Sequence, residues 1–357
     1  MWVRRLCISN FRNITDLELI FSQGKNVITG ENGQGKTNIA EAIAWLSRAS
    51  SFRGVSNESL IRVGCEQAII RAEIFTGERI TNIDIELNLV GRNRILVNKK
   101  SIKRIKDLMG YVICTVFGPD DLNLIKGSPS IRRNYLDDLL VAVDPNNYSL
   151  IQNFEKVLKQ RNALLRQSGG RTSLNLSKSL DIWDAKLVSI GEDLGNKRKH
   201  ISLLLEPKLL GIIEFLSAGR KNPKVEYKAP WMNIGLREEL IESRMEDIRR
   251  GITTVGPHRD DLSLKLDSLA TRTHVSQGEQ RSCALGLRLG AHAVISENRG
   301  TDAVVILDDV FSELDKIRAE KLITILPDCQ VVVTGVGDFP EKFVCESIFR
   351  IVAGNLA

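Results

Sequence analysis

Gly30, Gly35, Lys36 and Thr37 stand in a fixed order within the string GENGQGKT: glycine, four free positions, glycine, lysine, hydroxyl. Glycines let successive backbone N–H groups close around an anion at a helix N-terminus, where the dipole favours negative charge. Gly30, Glu31, Asn32, Gly33, Gln34, Gly35, Lys36 and Thr37 are therefore expected to wrap the phosphates of ATP. In such a loop Lys36 reaches the β- and γ-phosphates and assists catalysis, and the Thr37 hydroxyl holds Mg²⁺.

A second acidic group lies far downstream, where the apolar run Val304 to Leu307 ends in Asp308 and Asp309. Beside a P-loop, Asp308 is the expected second ligand of Mg²⁺, direct or through water, and Asp309 the carboxylate that polarises the attacking water. The strand carrying them is expected next to the strand that leads into the P-loop. Two aspartates can also simply end a strand, so the pair takes its meaning from Lys36 and Thr37. A third group is Val275 to Arg281, VSQGEQR. Ser276 can cap a helix starting near Glu279, and Gly278 lets a ligand approach the backbone. Ser276, Gly278 and Gln280 are the residues of this group expected at nucleotide.

Positioning these groups requires strands that end in the loops and helices that begin there. Lys25 to Thr29 reads as a strand, and Asn38 to Arg48 as a helix with Ile39, Ala42, Ile43 and Leu46 on one face. Ala68 to Phe75 and Ile80 to Leu89 alternate as strands. From Ile131 to about Phe215 the pattern is helical, with candidate helices over 132–143, 148–167 and 176–205. The last third returns to alternating strands and helices, including a helix over 279–296. This predicts an α/β head from residues 1–118 and 251–357, interrupted by a helical arm or second lobe over 119–250.

The 357 residues carry a formal charge of +6, with 5% aromatics. A mild basic excess with few aromatics fits a partner held by its phosphates better than one held by base stacking. No apolar run approaches a membrane span, and no signal peptide is evident, so a cytoplasmic location without membrane contact is expected. Six scattered cysteines without CxxC spacing argue against a zinc site.

GENGQGKT, SQGEQR and VVILDDVFSELD, in that order, resemble the head of the ATP-binding-cassette class. The finer resemblance is to the RecF recombination-mediator family. It is carried by LCISNFRN (Leu6 to Asn13), SSFRG (Ser50 to Gly54), VFGPDDLNLIKGSPSIRRNYLD (Val116 to Asp137), TTVGPHRDDL (Thr253 to Leu262), SQGEQRSCALGLRL and LDDVFSELD. The resemblance implies an ABC-type P-loop ATPase head with mixed sheets. It also implies an ATP-induced homodimer in which Ser276 and Gly278 of one copy face the nucleotide of the other. Slow, DNA-stimulated ATP hydrolysis follows from it too, as does a role with RecO and RecR in loading the recombinase at gapped DNA. Lys99, Lys100, Lys103, Arg104 and Lys106, then Arg132 and Arg133, then Lys197, Arg198 and Lys199 become candidate contacts to double-stranded or gapped DNA. Two cassette features are missing: Asp120 stands where the Q-loop glutamine is expected, and Thr334 where the switch histidine is.

Two other readings start from the same motifs. A transporter ATPase subunit keeps its P-loop and signature close together, whereas most of this chain lies between Thr37 and Ser276. An SMC-like structural ATPase has a very long coiled coil, for which the helical segment is too short.

Overall fold

The computed structural model describes residues 1–217, 222–337 and 339–357. The chain divides into two compact units. Unit one comprises Met1–Leu122, Lys208–Lys221 and Ser276–Ala357, and unit two comprises Asn123–Pro207 and Asn222–Val275.

In chain order unit one begins with strands β1 (Trp2–Phe11), β2 (Ile14–Ile20) and β3 (Lys25–Thr29), then helix α1 (Lys36–Arg48). Strands β4 (Gln67–Thr76), β5 (Arg79–Asn88), β6 (Arg94–Val97), β7 (Lys100–Ser101) and β8 (Cys114–Phe117) follow. The chain then forms α2 (Leu122–Lys126), α3 (Pro129–Val143), α4 (Asn147–Gln167) and α5 (Leu174–Ser217), the last with Pro207 in its interior. Next come β9 (Pro223–Lys228), α6 (Leu236–Arg250), β10 (Asp261–Leu266), β11 (Leu269–Ala270) and the short α7 (Thr271–His274). Unit one resumes with α8 (Gln277–Arg299), β12 (Val304–Asp308), α9 (Lys316–Ile325), β13 (Val331–Gly335), β14 (Ser347–Val352) and β15 (Asn355–Leu356).

Unit one holds two six-stranded sheets. One is antiparallel, in the order β2-β1-β4-β5-β6-β7; the other runs β15-β14-β3-β13-β12-β8, with β14, β3, β13, β12 and β8 parallel. The inner strands β12 and β13 are buried at every position because both faces are covered. Val304 and Ile306 point to one core with α1 and the antiparallel sheet, while Val305 and Leu307 point to a second core with Leu285 and Leu289 of α8. The period of two along a strand produces this division. The acidic strand β12 is not beside β3, as the sequence suggested. β13 lies between them, so the P-loop strand and the acidic strand are second neighbours.

Unit two is not the purely helical arm the sequence predicts. It contains the three-stranded sheet β11-β10-β9 beside its helices. Residues 222–275 belong to it, so the boundary expected at 251 falls inside the unit. The reason is pairing: β9 and β10 bond along their whole length, from Asp261 opposite Lys228 to Leu266 opposite Pro223. The third helix outruns its expected end at 205, and the chain passes back to unit one at Pro207–Lys208, inside α5. Among the described residues no helix is long and apolar enough to cross a membrane.

Candidate nucleotide site

The P-loop spans the turn from β3 to α1. Gly30, Gly33 and Gly35 all have positive φ, at 154°, 79° and 110°. Gly30 also has no room for a side chain, since a Cβ there would run into the Ile351 carbonyl oxygen of β14. The loop is braced from outside. Asn13 Nδ2 donates to the Gly33 carbonyl at 3.2 Å, and Asn38 Nδ2 donates to Asn13 Oδ1 at 2.8 Å. Gln34 Oε1 accepts the Ala353 N–H, and the Gln34 carbonyl accepts the Gly354 N–H at 3.0 Å. A turn near the C-terminus thus holds a loop near the N-terminus. Glu31 and Asn32 are exposed at the loop's outer edge.

Lys36 is buried, and its ammonium donates to the Gly30 and Glu31 carbonyls at 2.8 and 2.7 Å. Burial lowers its pKa, while the carboxylates of Asp309 and Asp308 act against that. The next residue brings a hydroxyl: Thr37 Oγ1 donates to Asp308 Oδ1 at 2.9 Å. The intervening strand supplies a third group, since Thr334 at the end of β13 donates its hydroxyl to the same oxygen at 2.6 Å. Burial raises the Asp308 pKa, and the hydrogen bonds from Thr334 and Thr37 oppose the rise. The Thr334 hydroxyl also accepts the Asp309 N–H at 3.1 Å. Asp309 has φ 53°, an uncommon conformation for a non-glycine residue, at the sharp exit from β12. Its Oδ1 is buried without a hydrogen-bond partner. A buried acceptor of this kind is costly and points to a donor supplied by something that binds.

The third group opens α8. Ser276 is its N-cap: Ser276 Oγ accepts the Glu279 N–H at 3.3 Å, and Glu279 Oε2 accepts the Ser276 N–H at 2.8 Å. Helix α8 therefore begins two residues before the expected Glu279. Gln280 is buried and its N–H donates to the Ser276 carbonyl at 2.9 Å. A Cβ on Gly278 would lie 2.7 Å from Nη1 of Arg318 on α9. Arg281 donates to the Glu313 carbonyl, tying α8 to the segment after Asp309.

Asp120 is exposed on a one-turn 3-10 helix, and its neighbour Asp121 turns inward to take Arg288 at 2.6 Å. Arg132 and Arg133, and Arg198 of the third cluster, are spent on internal contacts, whereas Lys199 is exposed and Lys197 half-buried. Arg132 is buried against Asp261 at 2.7 Å, and Arg198 is buried against Asp137 at 2.6 Å. Arg133 donates to the Asp260 carbonyl at 2.8 Å. The run Lys99, Lys100 and Lys103 is exposed around the β6–β7 hairpin, where Arg104 pairs with Asp107 at 2.9 Å. Sequence reasoning gave no role to Asn13, although it stands in LCISNFRN, nor to the buried pair of Arg12 with Glu41.

This fold, with Lys36, Thr37 and Asp308 at one mouth and a capped α8 in the same unit, defines a mixed α/β ATPase head of the ABC/SMC type. A family model described as the RecF/RecN/SMC N terminal domain matches residues 2–338. The chain belongs to the RecF family of DNA replication and repair proteins. The DNA replication and repair protein RecF of Streptomyces avermitilis is 40% identical over 354 residues, covering 95% of this chain and 94% of the relative. That of Agathobacter rectalis is 34% identical over 359 residues, covering 100% and 99%. A solved structure of the recombination mediator protein RecF with ATP, in the RecFOR pathway, superposes with a TM-score of 0.91 at 28% identity, covering 100% of this chain and 97% of that one. An Smc head bound to the C-winged helix domain of ScpA has a TM-score of 0.59 at 16% identity, a likeness of fold alone.

Proposed function

We propose that this chain is an ATP-dependent, DNA-binding recombination mediator of single-strand gap repair, which dimerises on ATP and hydrolyses it slowly. The contact of Thr37 with Asp308 carries the reading, since it brings two distant parts of the sequence together at the P-loop, 271 residues apart. Backbone N–H groups of Gly33 to Thr37 bind phosphate oxygens, and Lys36 exchanges the Gly30 and Glu31 carbonyls for the more negative β- and γ-phosphates. Thr37 and Asp308 present oxygen donors of the kind magnesium takes, so they would hold Mg²⁺, which neutralises phosphate charge when bound. The unpartnered Oδ1 of Asp309 accepts a proton of the attacking water, and the short reach of an aspartate favours slow turnover.

Ser276 and Gly278 of a second copy complete each site, so that ATP favours the dimer by its differential affinity for the closed form. DNA, double-stranded or gapped, is held by its phosphates. The exposed lysines at the β6–β7 hairpin, together with Lys199, are the surviving candidates among the three basic clusters. RecO and RecR act with the chain in loading the recombinase, as the RecFOR setting of the structural relative suggests. An SMC-like organising role is not favoured, because the second unit folds as a compact body with its own sheet.

The test is DNA affinity across a salt series, with and without ATP. A steep linear fall of log affinity with log salt, and an ATP effect lost in Lys36→Met, is expected. Affinity indifferent to salt and to ATP refutes the proposal.

A further inference from the structure

Gly278 presents a question that backbone conformation does not answer. Its φ is not positive, so another residue could adopt its place in the first turn of α8. What lies over it is the guanidinium of Arg318, whose Nη1, Nη2 and Cζ stand 2.7, 2.8 and 2.9 Å from the position of a Cβ, so that a side chain there would displace it. Arg318 is fixed there from its own helix. Asp315 caps α9, accepting the Arg318 N–H at 2.9 Å, and its other carboxylate oxygen takes the guanidinium. The side chain remains 32% exposed, so it is held but not closed off. The same turn carries a charge that works against phosphate: Glu279 Oε2 also accepts from Ser276 Oγ at 2.8 Å. A phosphate arriving at Ser276 and Gly278 meets that carboxylate unless a cation offsets it.

We infer that Arg318 contacts the γ-phosphate of the nucleotide bound by a second copy of this chain, acting in trans beside Ser276 and Gly278. This rests on the proposed ATP dimer. The guanidinium, held by Asp315 beside the first turn of α8, offers planar donors to phosphate, which an ammonium matches only in charge. Because the dimer has two identical sites, the loss of one charged contact is felt twice.

The experiment is sedimentation equilibrium at saturating ATP on wild type, Arg318→Gln and Arg318→Lys, with circular dichroism melts to confirm folding. Glutamine fills the space over Gly278 without charge, which separates packing from electrostatics. Loss of one charge-assisted hydrogen bond weakens binding about tenfold per site, hence about a hundredfold in the dimer dissociation constant of Arg318→Gln. Arg318→Lys is expected to lie between it and wild type. A folded Arg318→Gln that dimerises like wild type overturns the inference and leaves the ATP dimer standing. A wild type that stays monomeric in ATP overturns both.

Discussion

Arg12 and Glu41 offer a quantitative test of what holds the P-loop helix in place. Glu41 sits on α1 and is wholly buried. Its carboxylate takes Arg12 Nε and Nη2, each at 3.0 Å, and the Ser51 hydroxyl. The Arg12 side chain is 19% exposed and also donates to the Ser59 carbonyl at 3.1 Å. The two partners therefore differ in what they face when alone. Arg12→Met leaves a buried carboxylate with one hydroxyl, which costs about 3–5 kcal/mol. Glu41→Met leaves a guanidinium that water can still reach, at a cost of about 1–3 kcal/mol. The double variant removes both charges and should be destabilised by less than the sum of the singles. Amide hydrogen exchange over α1 reports this locally. At about 1.4 kcal/mol per tenfold, Arg12→Met exchanges roughly 10² to several times 10³ faster than wild type. Exchange within threefold of wild type, or strict additivity in the double variant, would refute the assignment of this pair as the anchor of α1.

Three further outcomes follow from the same geometry. Gly30→Ala, which places a Cβ against a backbone oxygen at φ +154°, should abolish ATP binding; Gly33→Ala, at φ +79° with nothing within 4 Å, should cost about 1–2 kcal/mol of conformational strain and bind ATP. Isothermal titration separates the two, and equal behaviour would contradict the account of the loop. Thr334→Val deletes the hydroxyl that bonds Asp308 in the buried site, so unit one should lose about 1.5–3 kcal/mol in denaturant, whereas Thr334→Ser should retain most of that stability. In unit two, burial pushes the His258 pKa down to about 4 from the ordinary 6.5. A depressed histidine favours the fold fully above pH 6.5, and that contribution is lost as pH falls towards 4, giving about 2 kcal/mol at pH 5. Asp260, pushed up to about 6 by burial, acts with the opposite sign, because its protonated form is the one the fold prefers. It acts in wild type and in His258→Gln alike. Between pH 7 and 5 wild type should therefore lose about 2 kcal/mol relative to His258→Gln, and parallel curves would disprove the shift.

The local elements of the candidate site were legible in the sequence because each needs only its near neighbours. GENGQGKT needs only its own glycines and the helix behind it, and the Ser276 cap needs only Glu279. The apolar run ending in Asp308 is equally plain, since a strand buried on both faces has no polar interval. What could not be read was pairing at a distance. Arg132 and Arg198 look like solvent-facing charge until Asp261 and Asp137 are seen beside them, 129 and 61 residues away. Strand β9, PKVEYK, alternates Val225 and Tyr227 with outward Lys224, Glu226 and Lys228, but it is short and opens with proline, so its pairing with β10 is what establishes it. The same pairing moved the lobe boundary. The insertion of β13 between β3 and β12 is likewise a topological choice that leaves no trace in either strand, and Thr334 gains its position between Asp308 and Asp309 from it.

The central claim is that ATP joins two copies of this chain through Ser276 and Gly278. Sedimentation at micromolar protein, with and without ATP, tests it most directly in wild type, Lys36→Met, Ser276→Arg and Asp309→Asn. Wild type and Asp309→Asn should become dimers in ATP, because the role proposed for Asp309 is toward the attacking water rather than nucleotide binding, while Lys36→Met and Ser276→Arg should remain monomers. Monomers throughout at saturating ATP, or a Ser276→Arg dimer indistinguishable from wild type, would contradict the account.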